Sequence, residues 1–571
     1  MLESPKRDIN NPAVSPLPIT RVLFPSIPGG KRSHYVLLLT ILCDLFAFNC
    51  VASLRPETPP DTPRAPNNSG AAQPSPVGAL YIREYRVQGA HKLSKGDIEE
   101  AVYPFLGPGR SATDVEEARA ALEKAFKDKG YQTVSVQIPA QSAAGGVVLL
   151  QVSENTVGRL RVRGSRYFSP AQIKKEAPSL AEGNVPNFNA VTQDIVALNQ
   201  LSDRRVTPSL RTGIIPGTVD IDLEVKDTFP LHGSVEINNR YSIGTTELRL
   251  NGAISYNNLW QLGHSIGFSF QLAPERLDDA KVYSAYYLAR FPGVSWLSLL
   301  LQGTKQDSNV STLGGAAVAG RGEIIGARAI VTLPPARNFY HNLTLGFDYK
   351  NFDQNLTIAG QNVVTPIAYY PLTLAYEATW AEKGSVTALN TGVTLALRGL
   401  GSDEAEFDFN RFRAGGNFIY VRGDLGHTHD LPKGFQLFGK IAGQVASEPL
   451  INSEQFSAGG LATVRGYLES EVLGDDAVLG TLELRGPSFL KGPVERNELR
   501  LYAFVEGGTV FVDSPLPDQQ SSFQLASIGI GTRFHLYNHF NGSLDLGLPL
   551  ISQVETQAYD PRLTFRVWAD F

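Results

Sequence analysis

The chain has 571 residues and a formal net charge of −5, and 19% of its residues are charged. This length exceeds one ordinary domain, so we expect a composite protein. The acidic balance lacks the basic footprint of nucleic-acid-binding proteins, which excludes that class. The two cysteines, Cys43 and Cys50, both lie near the start, so neither a disulfide framework nor a cysteine metal site is expected elsewhere.

Residues 1–52 have the layout of an N-terminal extension followed by a signal peptide. Basic residues precede the apolar run 35–48, and Ala52 ends a stretch of small residues suited to cleavage. An N-terminal anchor helix is the alternative, but Asp44 interrupts the run, and a charge at mid-helix is costly. Residues 53–79 are rich in proline, serine and asparagine and are predicted to form an extended linker.

Two consecutive stretches repeat one another: residues 80–155 and residues 156–228. Each opens with a strand that ends in V-x-G, at Gly89 and at Gly164. An amphipathic helix follows in each, with Ser94 or Ser169 as the predicted N-cap. A second helix and two strands complete each unit. The order β-α-α-β-β, found twice, predicts two small α+β domains.

From residue 229 to residue 571 the apolar residues alternate with a period of two. The segment "LTLGFDYK" (343–350) is one of several such stretches. Alternating segments of about ten residues separated by turns are typical of a transmembrane β-barrel, and roughly sixteen antiparallel strands fit this length. A soluble β-sandwich also alternates, but it would not normally combine so many strands with a signal peptide. The segments 304–325 and 399–410 leave the strand count ambiguous.

The last predicted strand, "LTFRVWADF", alternates to the end of the sequence. Phe565, Val567 and Phe571 share its apolar face. A bare edge strand of this kind would be an aggregation hazard in a soluble protein. In a barrel it pairs with the first strand, and outer-membrane barrels commonly end on such an aromatic residue, which the barrel-assembly machinery reads as an address.

One predicted loop, "EQFSAGGLATVRGYLES" (454–470), carries a single cation between two alternating strands. The cation belongs to the tetrapeptide Val464, Arg465, Gly466 and Tyr467. Its glycines allow the loop to turn sharply and to lie close to a wall. A solvated loop with an arginine at its tip is the plain alternative.

A later strand, "LRLYAFVEGG" (499–508), has one acid on its polar face. Leu501 and Val505 share one parity, whereas Phe504 and Glu506 share the other. If the apolar parity faces lipid, Glu506 faces the lumen. Glu506 then lies where a cation on an inserted loop needs a partner, because a buried arginine without a carboxylate is costly.

The repeats resemble POTRA domains, the periplasmic modules of outer-membrane transport barrels. Together with the barrel and the V-R-G-Y tetrapeptide, residues 80–571 resemble the TpsB transporters of two-partner secretion, the ShlB/FhaC/HecB hemolysin secretion/activation family of the outer-membrane insertase superfamily. There a long extracellular loop folds back into the barrel with V-R-G-[FY] at its tip. A later strand carries F-x-D-x-G, which corresponds here to Phe504, Glu506 and Gly508.

The resemblance implies a clasp between Arg465 and Glu506 that holds the loop inside the barrel. Glutamate stands where the family has aspartate, and the extra methylene would loosen the contact or move it to another depth. Some members carry an N-terminal plug helix, but residues 53–79 are too rich in proline for one.

The implied function is export of a large partner exoprotein from the periplasm to the cell surface without ATP, with activation of that partner as an option. The implied partners are the secreted exoprotein, docked on the POTRA domains by strand addition, outer-membrane lipid around a monomeric barrel, and the assembly machinery during biogenesis. The alternatives are a barrel-assembly insertase, which usually has more POTRA repeats, and a passive porin, which needs none.

No enzyme is expected, because the sequence contains neither H-E-x-x-H nor a Walker motif. No cofactor is expected either. His427 and His429 are the nearest to a metal pair, but two ligands are too few for a closed site, so we expect no metal.

Overall fold

A computed structural model describes residues 80–571 except 143–144, 292, 312–317, 359–360 and 491–496. The predicted signal peptide, the proline-rich linker and the question of a plug helix fall outside the described residues. Within them, no helix is long and apolar enough to cross a membrane.

The first repeat unit packs two helices against a three-stranded sheet. Its elements are β1 Leu80–Ile82, β2 Glu84–Gln88, α1 Lys95–Val102, β3 Gly107–Arg110, α2 Ala112–Asp128, β4 Val134–Gln137 and β5 Val147–Glu154. The sheet order is β2-β5-β4, with β2 parallel and β4 antiparallel to β5. Leu122 and Phe126 of α2 are fully buried against it. The small sheet of β1 and β3 was not predicted.

The second repeat unit has the same topology. Its elements are β6 Thr156–Arg163, α3 Pro170–Lys175, α4 Phe188–Leu198, β7 Arg204–Thr212 and β8 Thr218–Asp227, and its sheet order is β6-β8-β7. Gly89 and Gly164 play the same part in the two units, with φ of 82° and 80°. A Cβ at either position would lie within 2.5 Å of a backbone oxygen of the central strand, so a side chain is excluded at both.

The predicted serine caps differ between the units. Ser94 forms a full capping box with Asp97 at the start of α1. Ser169 occupies the N-cap position of α3, but its side chain makes no capping hydrogen bond. Ser169 is therefore the N-cap residue as predicted, but without the capping hydrogen bond, and Pro170 at the first helical position has a fixed φ that already suits the helix.

The remaining strands close into a barrel. They are β9 Leu231–Asn238, β10 Arg249–Leu259, β11 His264–Leu272, β12 Ala280–Phe291, β13 Val294–Ser311, β14 Val318–Thr332, β15 Phe339–Ile358, β16 Gln361–Tyr369, β17 Leu372–Glu382, β18 Ser385–Leu395, β19 Ile419–Asp430, β20 Gln436–Ala446, β23 Asp476–Arg485, β24 Asn497–Phe511, β25 Ser522–Leu536, β26 Phe540–Pro549 and β27 Arg562–Asp570. All neighbours are antiparallel, and β27 pairs with β9. The strands β16 and β17 pair with successive parts of β15 and share one position.

The described residues therefore form a barrel of sixteen antiparallel positions, which confirms the predicted fold class. The alternation of faces is clear on β24, where Leu501 and Val505 are exposed to the outside. Tyr502, Phe504 and Glu506, of the opposite parity, are buried on the inside. An apolar outer face and a polar inner face are what a lipid environment requires.

The two ambiguous segments contain regular structure. The strands β13 and β14 extend into the segment 304–325, up to Ser311 and from Val318. The segment 399–410 contains a helix, α5 Glu404–Asn410, with Asp403 at its N-cap and Phe407 buried. The strands extend by pairing with each other, whereas the helix is held by the packing of Phe407 in a buried cluster, which the period of the sequence does not encode.

The C-terminal strand completes the barrel. Phe571 exchanges two backbone hydrogen bonds of 3.0 Å with Gly233 at the start of β9. Val567 pairs with Ile237 on β9 and lies exposed on the outer face, whereas Phe565 is held through its backbone N–H by the Asn239 side chain at 2.7 Å.

The second repeat unit contacts one rim of the barrel. Asp203 accepts from Asn257 at 3.3 Å and lies 2.7 Å from His232 Nε2, while Tyr167 packs edge-on against Phe229. Because β9 starts at this rim and neighbouring strands alternate in direction, β20 also starts here. The chain after Ala446 therefore begins at the opposite rim.

Candidate functional site: an inserted loop and its wall contacts

The connection between β20 and β23, residues 447–475, is called the inserted loop. It contains a short hairpin of two strands, β21 Phe456–Ala458 and β22 Val472–Gly474. The segment between these strands is the tip of the loop, and Val464 within it is fully buried. Its contacts are with inward-facing side chains of the wall, so the loop folds back into the lumen.

Arg465 contacts Glu506 through both side chain and backbone. The guanidinium donates from Nε at 3.1 Å and from Nη2 at 2.6 Å to Glu506 Oε1. The backbone N–H of Arg465 donates to Glu506 Oε2 at 2.7 Å. The longer glutamate thus makes a close contact rather than a loose one, because both of its oxygens are used.

Two further carboxylates reach the same guanidinium. Nη2 donates to Glu483 Oε1 on β23 at 2.7 Å, and Nη1 donates to Asp545 Oδ1 on β26 at 3.0 Å. Arg465 is only 3% exposed. Sequence reasoning missed Glu483 and Asp545, although their inward parity on alternating strands marked both as lumenal acids.

The cluster is balanced in charge. Arg485 and Arg533 also pair with Glu483, at 2.8 and 3.3 Å. Three arginines therefore face three carboxylates, and the Tyr502 hydroxyl donates to Asp545 at 2.6 Å. This pairing offsets much of the cost of burying the charges, although Asp545 Oδ2 has no hydrogen-bond partner among the described residues.

The aromatic ring of Phe504 stacks against the guanidinium of Arg465. The Arg465 Cζ atom lies 3.6 Å from the centroid of Phe504. A stacked guanidinium of this kind gains cation–π attraction, which is strongest when the site is shielded from water. Phe504 itself lies over Gly529, where an added Cβ would meet the ring at 2.3 Å. Phe504 of the F-x-E-x-G motif therefore contacts Arg465 of the V-R-G-Y tetrapeptide directly.

The other tip residues fix the loop to β26 and β25. Gly466 has φ of 93°, and a Cβ there would lie 3.2 Å from the Gly547 carbonyl carbon. The Tyr467 hydroxyl donates to Ile551 O at 2.7 Å and also lies 3.0 Å from Ala526 O. These contacts require glycine and tyrosine where the tetrapeptide has them.

Gly508 lies on the wall and serves a different contact. A Cβ there would lie 2.1 Å from Val478 O on the neighbouring strand β23. The third residue of the F-x-E-x-G motif therefore allows close approach of β23 and β24, on which Glu483 and Glu506 stand. It does not touch the tip itself.

The loop also reaches the closing strands of the barrel. Glu469 receives two hydrogen bonds from Arg240, just after β9, at 2.7 and 3.2 Å. The Glu469 N–H donates to Tyr241 O at 3.1 Å. The loop thus spans the lumen and contacts widely separated parts of the wall.

The predicted histidine pair lies on β19, away from this cluster. His427 and His429 stack with ring centroids 6.1 Å apart, and His427 Nδ1 lies 2.8 Å from Thr387 Oγ1. Among the described residues no group of three or more His, Cys, Asp or Glu side chains is arranged to hold a metal.

Family comparisons agree with these features. The family model described as "Haemolysin secretion/activation protein ShlB/FhaC/HecB" matches residues 217–534, more than half of the chain. The model described as "POTRA domain, ShlB-type" matches residues 80–155. The two matches cover the first repeat unit and most of the barrel.

Individual relatives point the same way. The chain is 23% identical over 521 residues to the outer membrane transporter CdiB of Escherichia coli, covering 86% of this chain and 82% of the relative. The solved structure of CdiB from Escherichia coli superposes with a TM-score of 0.65 at 20% identity, covering 95% of this chain and 99% of that one. BamA from Haemophilus ducreyi lacking POTRA domains 1–3 shares the fold, with a TM-score of 0.53 at 16% identity, covering 87% and 100%.

The barrel, the repeat units and the family match converge on one assignment. The chain therefore belongs to the ShlB/FhaC/HecB haemolysin secretion/activation family: it is an outer-membrane two-partner secretion transporter, not an enzyme, with its POTRA units in the periplasm, and it exports a partner exoprotein.

Proposed function

We propose that the inserted loop is the gate of this transporter and that the contacts of Arg465 hold this gate closed. A barrel of sixteen strands is wide enough to leave an aqueous channel when its lumen is not filled. A transporter that waits for its substrate must block this channel. The tip of the inserted loop is the part of the chain suited to that task, because it crosses the lumen and is held there mainly by side-chain contacts.

The single observation that carries the proposal is the set of contacts made by Arg465. One guanidinium joins the loop to three strands of the wall, β23, β24 and β26. Side-chain pairs can separate and re-form without unfolding either the loop or the barrel. Opening then requires the tip to leave these three carboxylates together with its contacts through Glu469 and Tyr467, and it leaves the wall intact.

The exported chain enters from the periplasmic rim in this mechanism. Its secretion domain docks on the POTRA units, the tip of the loop leaves the lumen, and the unfolded chain threads outward. Folding at the cell surface biases the movement, so ATP is not needed. The barrel acts as a monomer surrounded by outer-membrane lipid, and its C-terminal strand is the feature that the barrel-assembly machinery reads during biogenesis.

The docking surface proposed for the secretion domain is the edge strand β7 of the second POTRA unit. The sheet order β6-β8-β7 leaves one side of β7 unpaired within the described residues. Leu210 on this strand is 43% exposed, and Ile214 and Ile215 in the adjacent turn are 74% and 64% exposed. A free strand edge beside exposed apolar side chains suits recognition by strand addition.

Conductance in planar lipid bilayers tests the gate directly. Arg465→Ala should raise the mean conductance and the frequency of large openings, because the tip loses its ion pairs with the three carboxylates of the wall. Arg328→Ala is the matched control, since Arg328 pairs with Asp348 on the barrel wall at 2.7 Å without touching the loop. Equal conductance of the wild type and Arg465→Ala would contradict the gate.

Affinity for the secretion domain tests the docking surface separately. Ile214→Asp with Ile215→Asp should weaken binding of the partner's secretion domain to the purified transporter, because two apolar contacts become charged. The same change at Tyr103, which is 74% exposed on the first unit, is the control. An equal loss of affinity from the changes at Ile214 and Ile215 and from the change at Tyr103 would contradict docking on β7.

A further inference from the structure

The inserted loop has a second buried attachment, formed by Glu454 at its base. Glu454 lies just before β21, and its side chain is 1% exposed. Its Oε1 accepts from Lys350 Nζ at 2.5 Å and from the Tyr369 hydroxyl at 2.6 Å, and its Oε2 accepts from the Tyr420 hydroxyl at 2.7 Å. The three donors belong to β15, β16 and β19.

This attachment is separate from the one at the tip. The Arg465 carboxylates stand on β23, β24 and β26, whereas the Glu454 donors stand on β15, β16 and β19. The two sets share no residue. At the tip the loop provides the cation and the wall provides carboxylates, whereas at the base the loop provides the carboxylate and the wall provides an ammonium group.

The wall also holds backbone groups at the base of the loop. Arg422 Nη2 donates to the backbone oxygens of Glu454 and Gln455 at 2.9 and 3.1 Å. At the other end of the hairpin, Asp475 is fully buried and accepts from the Leu450 N–H at 2.7 Å and from Arg411 at 3.2 Å. Both ends of the hairpin are therefore fixed by buried carboxylates.

The chain between base and tip can bend at defined points. Gly459 and Gly460 directly follow β21 and have φ of 105° and 90°, and Ser470, shortly before β22, has φ of 55°. Glycine visits such conformations at no steric cost and can leave them easily. The hinge of the loop is thus expected at Gly459 and Gly460, where the tip leaves β21.

From this geometry we infer that Glu454 is a positioning residue that keeps the hairpin of the inserted loop fixed to the wall, so that only the tip moves during export. The inference rests on the proposed gate and divides it into a static base and a moving tip. Glu454 touches no substrate; it acts by fixing the place from which the tip enters the lumen and to which it returns.

Two single-cysteine reporters separate base from tip. The reporters are Ser457→Cys on β21 and Thr463→Cys in the tip, each in the full chain with Cys43→Ser and Cys50→Ser. The rate of labelling by a membrane-impermeant maleimide on intact cells measures how often each site opens. Heat-modifiable migration of the barrel confirms folding of every variant.

Glu454→Gln should raise labelling at the base by roughly tenfold or more, because a buried ammonium loses its anion. Labelling at the tip should change by less than about twofold. Arg465→Ala should instead raise labelling at the tip and change labelling at the base by less than about twofold. Adding Lys350→Met to Glu454→Gln should lower base labelling again, since no unpaired charge remains. Glu323→Gln, which breaks an exposed pair with Lys305 on β13 and β14, should leave both reporters unchanged.

Unchanged labelling at the base in Glu454→Gln would overturn the inference. So would equal acceleration of both reporters by Arg465→Ala, because the loop would then move as one body. The gate is judged separately: if Arg465→Ala leaves the tip closed, the gate fails whatever Glu454→Gln does. If Arg465→Ala frees the tip while Glu454→Gln leaves the base closed, only the role of Glu454 is lost.

Discussion

Removal of the Arg465 side chain is the change that most directly tests the lumenal cluster. The guanidinium makes four side-chain hydrogen bonds to three carboxylates and stacks on Phe504. Breaking one buried ion pair costs about 3–5 kcal/mol. Glu483 keeps Arg485 and Arg533, and Asp545 keeps Tyr502, so mainly Glu506 is left without its cation.

We therefore expect the tip to lose about 2–3 kcal/mol of its preference for the closed position, discounted from that range because a lumen admits water. Such a loss multiplies the open fraction by roughly 30–150. The rate of maleimide labelling at Thr463→Cys should rise by a similar factor. Export of the partner exoprotein, measured as its release from cells, should fall because the gate no longer closes and resets.

Glu506→Ala should have a smaller effect than Arg465→Ala. The structure makes the contact asymmetric, because Arg465 keeps Glu483 and Asp545 when Glu506 is removed. The double variant should resemble Arg465→Ala alone, since both changes act through one contact. Exchange of the two charges, Arg465→Glu with Glu506→Arg, should not restore closure, because a glutamate at the tip would face two remaining acids.

Additive defects of the two single changes, with unchanged labelling at Thr463→Cys, would refute this reasoning. Arg465 and Glu506 would then act in separate processes. Restored closure in the charge-exchanged variant would also contradict the role of the three acids. It would show that one isolated ion pair between positions 465 and 506 is sufficient to hold the tip closed.

Three further changes test other parts of the molecule. N-terminal sequencing of the mature protein should begin near Ser53, and an intact Cys43 would exclude the predicted signal peptide. Deletion of residues 80–155 should abolish export yet leave a heat-modifiable barrel, because this unit has its own core; loss of the barrel would assign the unit to assembly instead. Gly466→Ala should accelerate tip labelling, whereas Gly183→Ala, also at positive φ but in the second POTRA unit, should not, and equal labelling in both would contradict the tight fit against β26.

The sequence was sufficient to predict the inward position of Glu506. On a β-strand, the face of a residue depends only on the parity of its neighbours, and Leu501 and Val505 establish that parity over a short distance. The same reasoning predicted the barrel itself. It could equally have placed Glu483 inside, since the exposed Leu482 and Leu484 flank it on β23.

Which inward-facing acids meet Arg465 could not be predicted in this way. The parity of a residue shows which face of the sheet its side chain lies on, but it does not show the position of the residue along the barrel axis. That position depends on the stagger of each strand around the barrel. Glu483 lies directly opposite Phe504 in the register of β23 with β24, whereas Asp545 is two strands away from Glu506 on β26. These residues converge only because the loop enters the lumen at one depth, which is set by contacts far apart in the chain.

The opposite polarity of the two attachments also specifies where the loop can rest. Arg465 near Lys350 would bring two cations together, and Glu454 near Glu506 would bring two acids together, and like charges in a partly buried site repel strongly. A loop that slid along the wall would meet these unfavourable pairings at both ends at once. One resting position is then favoured over its neighbours by repulsion as well as by attraction.

This electrostatic repulsion predicts that Glu454→Lys, which reverses the charge at the base, should lower export more than Glu454→Gln, because it adds repulsion from Lys350 to the loss of the pair. Equal export by the two variants would show that attraction alone positions the loop.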